Sequence, residues 1–174
     1  KTTVAMALAA SLTSDFGAEV MLVDADLHTQ SVAREYGLEN EVGLSELISG
    51  TATMEAVQHR IASVSMSVVP AGRSSTDPAR LARSERLVTV MAGFKTRTQY
   101  VVVDLPATLH SMTAPMLAKR CDGVVVVVDA GRTTRAELER TLHLLRDVGV
   151  LGVVLNRSRS KIPGWVQRAL NLRP

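Results

Sequence analysis

Apolar residues come along this chain in short unbroken runs, set between longer stretches where they recur with helical spacing. The runs are Val20–Val23, Tyr100–Val103, Gly123–Val128 and Val150–Leu155. Short Val- and Leu-rich runs of this kind are strands buried on both faces, as parallel sheets require. Helical spacing predicts a helix over Thr3–Phe16, with Gly17 as its C-cap. Shorter helices are predicted over Val32–Tyr36, Leu44–Ile48 and Met54–Ile61. A partly alternating strand over Ser63–Val69 ends at Pro70. Asp77 and Pro78, an N-cap followed by proline at the first helical position, open a helix running to about Lys95. A helix over Leu109–Arg120 follows the second valine run. Thr133 or Thr134 caps a long helix that ends near Gly149. Strand and helix alternate throughout, so the fold class is α/β, a mainly parallel sheet with helices on both faces.

In such sheets ligands bind beyond the carboxyl ends of the strands. Three carboxylates fall there: Asp24 and Asp26 after the first run, and Asp104 after the second. Asn156 ends the last run. Residues i and i+2 of an extended segment point the same way, so Asp24 and Asp26 share a side. Paired carboxylates repel, and a nearby cation relieves them. The ordinary alternative is a strand end followed by an Asp-rich turn, with Asp26 capping the next helix. The chain opens with Lys1-Thr2-Thr3 at the head of a helix. There, backbone N–H groups and the helix N-terminus hold phosphate, lysine reaches the terminal phosphates and the hydroxyl binds Mg²⁺. A Lys-Thr helix start with a later apolar strand ending in Asp is the two-part signature of P-loop nucleotide proteins. The glycines of such a loop would lie before Lys1, outside the sequence.

Composition narrows the classes. At 174 residues with 46% hydrophobic content, the chain is one domain with ample core. A net charge of +3 does not by itself imply nucleic acid, and 3% aromatic residues disfavour a base-stacking platform. The single cysteine, Cys121, excludes an internal disulfide and suits a core thiol at a helix end. No apolar run is long enough to cross a bilayer, so a cytoplasmic protein is expected. His59, His110 and His143 lack metal-ligand spacing. Ser45 and Ser84 have no His/Asp context for nucleophilic chemistry. Arg80, Arg83 and Arg86 read as one solvated helix face.

The ordered set of segments resembles the bacterial tyrosine kinases of capsule and exopolysaccharide synthesis, within the larger group of Min and Par ATPases. Lys1-Thr2-Thr3 is similar to the end of the Walker A loop. Leu22–Leu27 is similar to the Asp-x-Asp motif called Walker A′, and Tyr100–Pro106 to Walker B. Gly37-Leu38, Gly43–Leu47, Val69–Gly72, Asp77–Leu81, Asp122–Val124 and Gly152–Arg157 match further segments in order. The resemblance implies a P-loop nucleotide-binding domain over residues 1–157, its first strand and glycine loop missing, and a basic tail or short helix over 158–174.

The resemblance also implies ATP and Mg²⁺ as cofactors. Lys1 would contact the β- and γ-phosphates, Thr2 would ligate Mg²⁺ and Thr3 would contact phosphate. Asp104 would hold Mg²⁺ through water. Of Asp24 and Asp26, one would support the metal and the other would be general base. Asn156 would read the adenine edge, with Arg157 beside it. The implied partners are ATP, a membrane adaptor protein of polysaccharide export and a second copy of the chain, with no specific nucleic acid. That adaptor would bring the protein to the inner face of the membrane. A regulatory ATP-driven switch of the Min and Par kind, or a non-catalytic partner subunit, is the alternative.

Some positions depart from the family pattern. His28 stands where the family has arginine, and so lacks a guanidinium fork. Pro106-Ala107 replaces a Pro-Pro, and Thr113 an acidic residue. The tyrosine-rich tail is missing: the chain has only Tyr36 and Tyr100. Tyr100 is expected in the core and Tyr36 in packing, so ATP turnover with little tyrosine autophosphorylation is expected. In the basic tail, Trp165 lies on an apolar stripe with Ile162, Val166 and Leu170. That stripe is expected to pack or move, with weak, salt-sensitive membrane binding.

Overall fold

The computed structural model describes residues 1–62, 64–73 and 77–158. The basic tail, with the helix expected around Trp165, lies from residue 159 onward outside the described residues. In order the elements are α1 (Thr2–Ser14), β1 (Val20–Asp24), α2 (Ser31–Glu35), α3 (Leu44–Ser49), α4 (Met54–Val57), β2 (His59–Ile61) and β3 (Met66–Val69). There follow α5 (Pro78–Ala82), α6 (Glu85–Lys95), β4 (Tyr100–Asp104), α7 (Thr113–Ala118), β5 (Val124–Asp129), α8 (Arg135–Leu144) and β6 (Val150–Asn156).

Strand β1 is the centre of the sheet β2-β3-β1-β4, and β5 and β6 form a second pair. β1 runs parallel to β3 and β4, β5 runs parallel to β6, and only β2 is antiparallel. Every residue of β1 is buried, and its side chains alternate between two cores. Met21 and Val23 pack with α3 and α6, around Leu47, Leu87, Val90 and Phe94. Val20 and Leu22 face Ala9 of α1 and Val32 of α2. Full burial of such side chains is worth about 1.5–3 kcal/mol each. The helices on both faces of β1 are thus the α/β arrangement that the apolar runs predict.

Four expectations are corrected. The helix predicted over Met54–Ile61 stops at Val57: Gln58 is extended, and residues 59–61 pair with β3 as β2. The helix predicted from Asp77 to Lys95 is two helices. Asp77 caps the first, accepting from the Ala79 N–H, and the Ser84 hydroxyl caps the second, accepting from Arg86 N–H. A hydroxyl that can satisfy a free backbone donor makes Ser84 a better cap than helix interior. Arg80, Arg83 and Arg86 therefore do not share one helix, and the Arg86 guanidinium lies against Gly50 at the end of α3. Tyr100 is half exposed, at 51%, because it begins β4 at the sheet's amino edge. Tyr36 packs on the Val20/Leu22 core as expected.

Among the described residues β4 and β5 do not pair, and an apolar groove separates them. Val102, Val103 and Leu105 form one wall and Val124–Val128 the other, with Leu138 and Leu145 of the α8 segment along it. The cavity measures about 300 Å³, and Lys1 with Val4, Ala5 and Leu8 of α1 also line it.

Candidate phosphate and metal site at the strand ends

The site begins with a register. Asp24 of β1 pairs directly with Asp104 of β4, so two parallel strands end side by side in carboxylates. The Ala25 N–H donates to the Asp104 carbonyl at 3.0 Å, carrying the pairing one residue further. Helix α1 arrives at the same end, and the Thr2 hydroxyl donates to Asp104 Oδ2 at 2.6 Å. Burial pushes the Asp104 carboxyl above its ordinary range, opposed by the Thr2 hydroxyl and the Lys1 charge. Asp26 lies close enough to push the same carboxyl further up. The structure thus brings together Lys1, Thr2, Asp24, Asp26 and Asp104.

Asp24 and Asp26 serve differently. Asp24 is fully buried, and both its oxygens accept backbone N–H groups. Oδ1 takes Asp26 N–H at 3.1 Å, and Oδ2 takes Val32 and Ala33 at 3.0 and 3.3 Å. It ties the end of β1 to the first turn of α2. Burial pushes its pKa to about 6 despite those N–H groups. Asp26 uses Oδ1 alone, accepting from His28 and Thr29 N–H at 3.3 and 3.2 Å. Its Oδ2 makes no hydrogen bond among the described residues.

Asn156 and Arg157 sit at the same end of the other strand pair, where Asp129 of β5 is in register with Asn156. Ala130 N–H donates to the Asn156 carbonyl at 2.8 Å. Arg157, with φ of 58°, donates through Nη1 to Asp129 Oδ2 at 3.0 Å. Asp104, Arg157 and Asp129 all lie near residue 1, so the two groups meet there. Thr3 lies on the same first turn of α1, exposed.

Asp129 was not among the residues singled out from the sequence. Its signal is the same as that of Asp24 and Asp104: a carboxylate closing an apolar run. Gln30 and Glu46, whose side chains bond the Gly72 carbonyl and the Arg73 N–H, carried no such signal. Among the described residues no three His, Cys, Asp or Glu side chains converge as a metal cage, and no helix is long and apolar enough to cross a membrane.

Parallel strands ending in carboxylates beside a Lys-Thr helix start define a nucleotide-binding protein of the P-loop class. A family model, ParA, described as NUBPL iron-transfer P-loop NTPase, matches residues 1–168, and the chain belongs to this family. EpsB of Ralstonia solanacearum, which carries a tyrosine-protein kinase name, is 30% identical over 142 residues, 80% of this chain and 19% of that protein. The chain thus spans about a fifth of that relative's length. The tyrosine-protein kinase CpsD of Streptococcus agalactiae is 26% identical over 165 residues, 93% of this chain and 72% of CpsD. The crystal structure of the VpsO kinase domain superposes with a TM-score of 0.85 at 28% identity, covering 91% of this chain and 79% of that one. The chain therefore resembles the kinase domains of capsule and exopolysaccharide tyrosine kinases in sequence and fold.

Proposed function

We propose that this domain binds ATP with Mg²⁺ and transfers or hydrolyses its terminal phosphate, as part of a tyrosine-kinase-like enzyme of polysaccharide synthesis. One observation carries the reading: the 2.6 Å bond between the Thr2 hydroxyl and Asp104, beside Lys1 and the Asp24–Asp26 loop. An alcohol and a carboxylate are hard oxygen donors, and Mg²⁺ bound with phosphates needs only one or two protein carboxylates. The residues therefore fit the ion. Thr2 would ligate it and Asp104 would hold it through water, with Asp24 supporting from behind. When bound, it would neutralise charge on the transferring phosphoryl group.

The remaining roles belong to the chain's own groups. Lys1 carries the charge for the β- and γ-phosphates, and Thr3 offers a hydroxyl to phosphate. Asp26, with one oxygen pinned by two N–H groups and the other without a hydrogen bond among the described residues, is the better placed of the pair to take a proton from an incoming hydroxyl. Asp24 has both oxygens engaged and is suited to hold the loop. Asn156 would read the adenine edge, with Arg157 and Asp129 shaping that side.

The partners in this reading are ATP, a membrane adaptor of polysaccharide export and a second copy of the chain, with no specific nucleic acid. The protein would work in the cytoplasm, at the inner face of the membrane through that adaptor. The ParA-type family match favours one other reading, an ATP-driven dimerising switch with slow turnover.

Calorimetry with ATP, with and without Mg²⁺, tests the site. Thr2→Val keeps the volume and removes the hydroxyl, and it should abolish the Mg²⁺ dependence of ATP binding. An unchanged Mg²⁺ dependence would place the metal elsewhere. Sedimentation with ATP, and again after its hydrolysis, separates the two readings, because only the switch requires dimers that form with ATP and dissolve when it is hydrolysed.

A further inference from the structure

The Asp24–Asp26 loop is held from behind by a chain of hydrogen bonds that ends on a carboxylate outside the site. Gln30 adopts a left-handed conformation, φ 48° and ψ 42°. Its N–H donates to the Asp26 carbonyl at 3.0 Å, which closes the loop carrying the Asp26, His28 and Thr29 contacts. Its side-chain Nε2 donates to the Gly72 carbonyl at 2.9 Å. Gly72 belongs to the segment leaving β3. Glu46, on α3, holds the end of that segment next to Gly72: Oε1 accepts the Arg73 N–H at 3.0 Å. Oε2 accepts the Gly43 N–H at 2.9 Å and the Ser45 hydroxyl at 3.0 Å.

The two segments are further laced by Leu44 N–H to the Pro70 carbonyl and Ser45 N–H to the Ala71 carbonyl. No side chain fits at the crossing. A Cβ on Gly43 would overlap the Pro70 carbonyl, and one on Gly72 would overlap the Glu46 carboxylate and the Ser45 hydroxyl. Gly72 also has φ of +97°. So close an approach, with one carboxylate accepting from both segments, makes the clamp stiff.

We propose that Glu46 is a positioning residue for Asp26: by clamping Gly43 and Arg73 it fixes the Gly72 carbonyl, which through Gln30 fixes the Asp26 loop. The functional side of this inference rests on the role of Asp26 proposed above; the mechanical side does not. A carboxylate is suited to the task because it accepts from both segments, one oxygen each, and hydrogen bonds to a charged acceptor are the stronger kind. Burial alone would raise the Glu46 pKa, but the Gly43 N–H, the Ser45 hydroxyl and the Arg73 N–H together hold it below its ordinary value.

Amide hydrogen exchange on the whole chain tests the linkage. Glu46→Gln cannot accept on both sides at once. It should speed exchange at the His28 and Thr29 amides about ten-fold, the usual consequence of losing one hydrogen bond to a charged group. Gln30→Met, which cuts the chain at its other end, should do the same, and the double variant should add nothing at those two amides. Acceleration confined to residues 43–47 and 73, or full additivity at His28 and Thr29, would reduce Glu46 to a local cap and overturn the proposal. If Glu46→Gln does not fold, Gln30→Met decides alone: unchanged His28 and Thr29 amides overturn it. In ATP turnover, Glu46→Gln should lower kcat about ten-fold with KM held within about two-fold. A protein that carries the complete loop before Lys1 and shows no turnover at all would refute the proposed function, while the exchange result on this chain would still judge the clamp.

Discussion

Asp24 makes the energetics of the site measurable in the absence of ligand. Its carboxyl is buried at the end of the central strand, and its pKa is pushed from an ordinary 3.8 to about 6. The folded chain therefore binds more protons at this position than the unfolded chain between those values. Stability from this group is complete below the unfolded value and is lost as pH rises through the folded one. At about 1.4 kcal/mol per tenfold change, the loss is about 3 kcal/mol, complete near pH 7. Asp24→Asn removes the charge and keeps the shape. Its amide oxygen can serve Val32 and Ala33, but its NH₂ group then faces the Asp26 N–H, at a cost of about 1–3 kcal/mol. A protonated Asp24 also carries a hydrogen on one oxygen, so the two proteins are nearly matched at pH 4. The stability difference, variant minus parent, should therefore climb by about 3 kcal/mol in favour of the variant between pH 4 and pH 8. Urea unfolding followed by circular dichroism at pH 4 to 8 measures it, and the difference cancels carboxylates remote from Asp24. A flat difference, or one that falls, would refute the reasoning. Adding ATP with Mg²⁺ at pH 8 should restore part of the parent's deficit, because a nearby cation favours the ionised carboxylate.

Phe94→Ala should cost about 3–5 kcal/mol in urea unfolding, since Phe94 is fully buried between α6 and β1. Gly43→Ala should cost about 1–3 kcal/mol, read as a lowered Tm, because backbone rather than a flexible side chain stands in the way. Asp129→Asn should change stability by only about 0.2–1 kcal/mol, because Arg157 is largely exposed; a larger loss in thermal melting would mean that the pair is shielded from water. Incubation with ATP followed by mass spectrometry should find no phosphate on Tyr36 or Tyr100: Tyr36 is packed, and Tyr100 lies at the amino end of β4, opposite Asp104.

The site was legible because its signals are one-dimensional. An apolar run closing in a carboxylate marks both a strand and the end of it that matters, and parallel pairing then puts Asp24 beside Asp104. The same logic reaches Asp129. Glu46 and Gln30 are another matter. Their importance comes from the crossing of residues 43–46 with 70–73, which no local pattern encodes. Helix breaks were misread for a related reason. Helical spacing continues across Ser84, and only the competition of its hydroxyl for the Arg86 N–H stops the helix. Residues 58–61 have both helical spacing and a suitable edge in β3, and the edge won.

The groove between β4 and β5 has the form of an opening for one more strand. Among the described residues, Tyr100–Asp104 and Val124–Asp129 have no hydrogen-bonding neighbour on the sides that face it, and valines line both walls. An extended apolar segment laid there would be paired along both edges, the geometry of strand addition, and would join the two strand groups into one sheet.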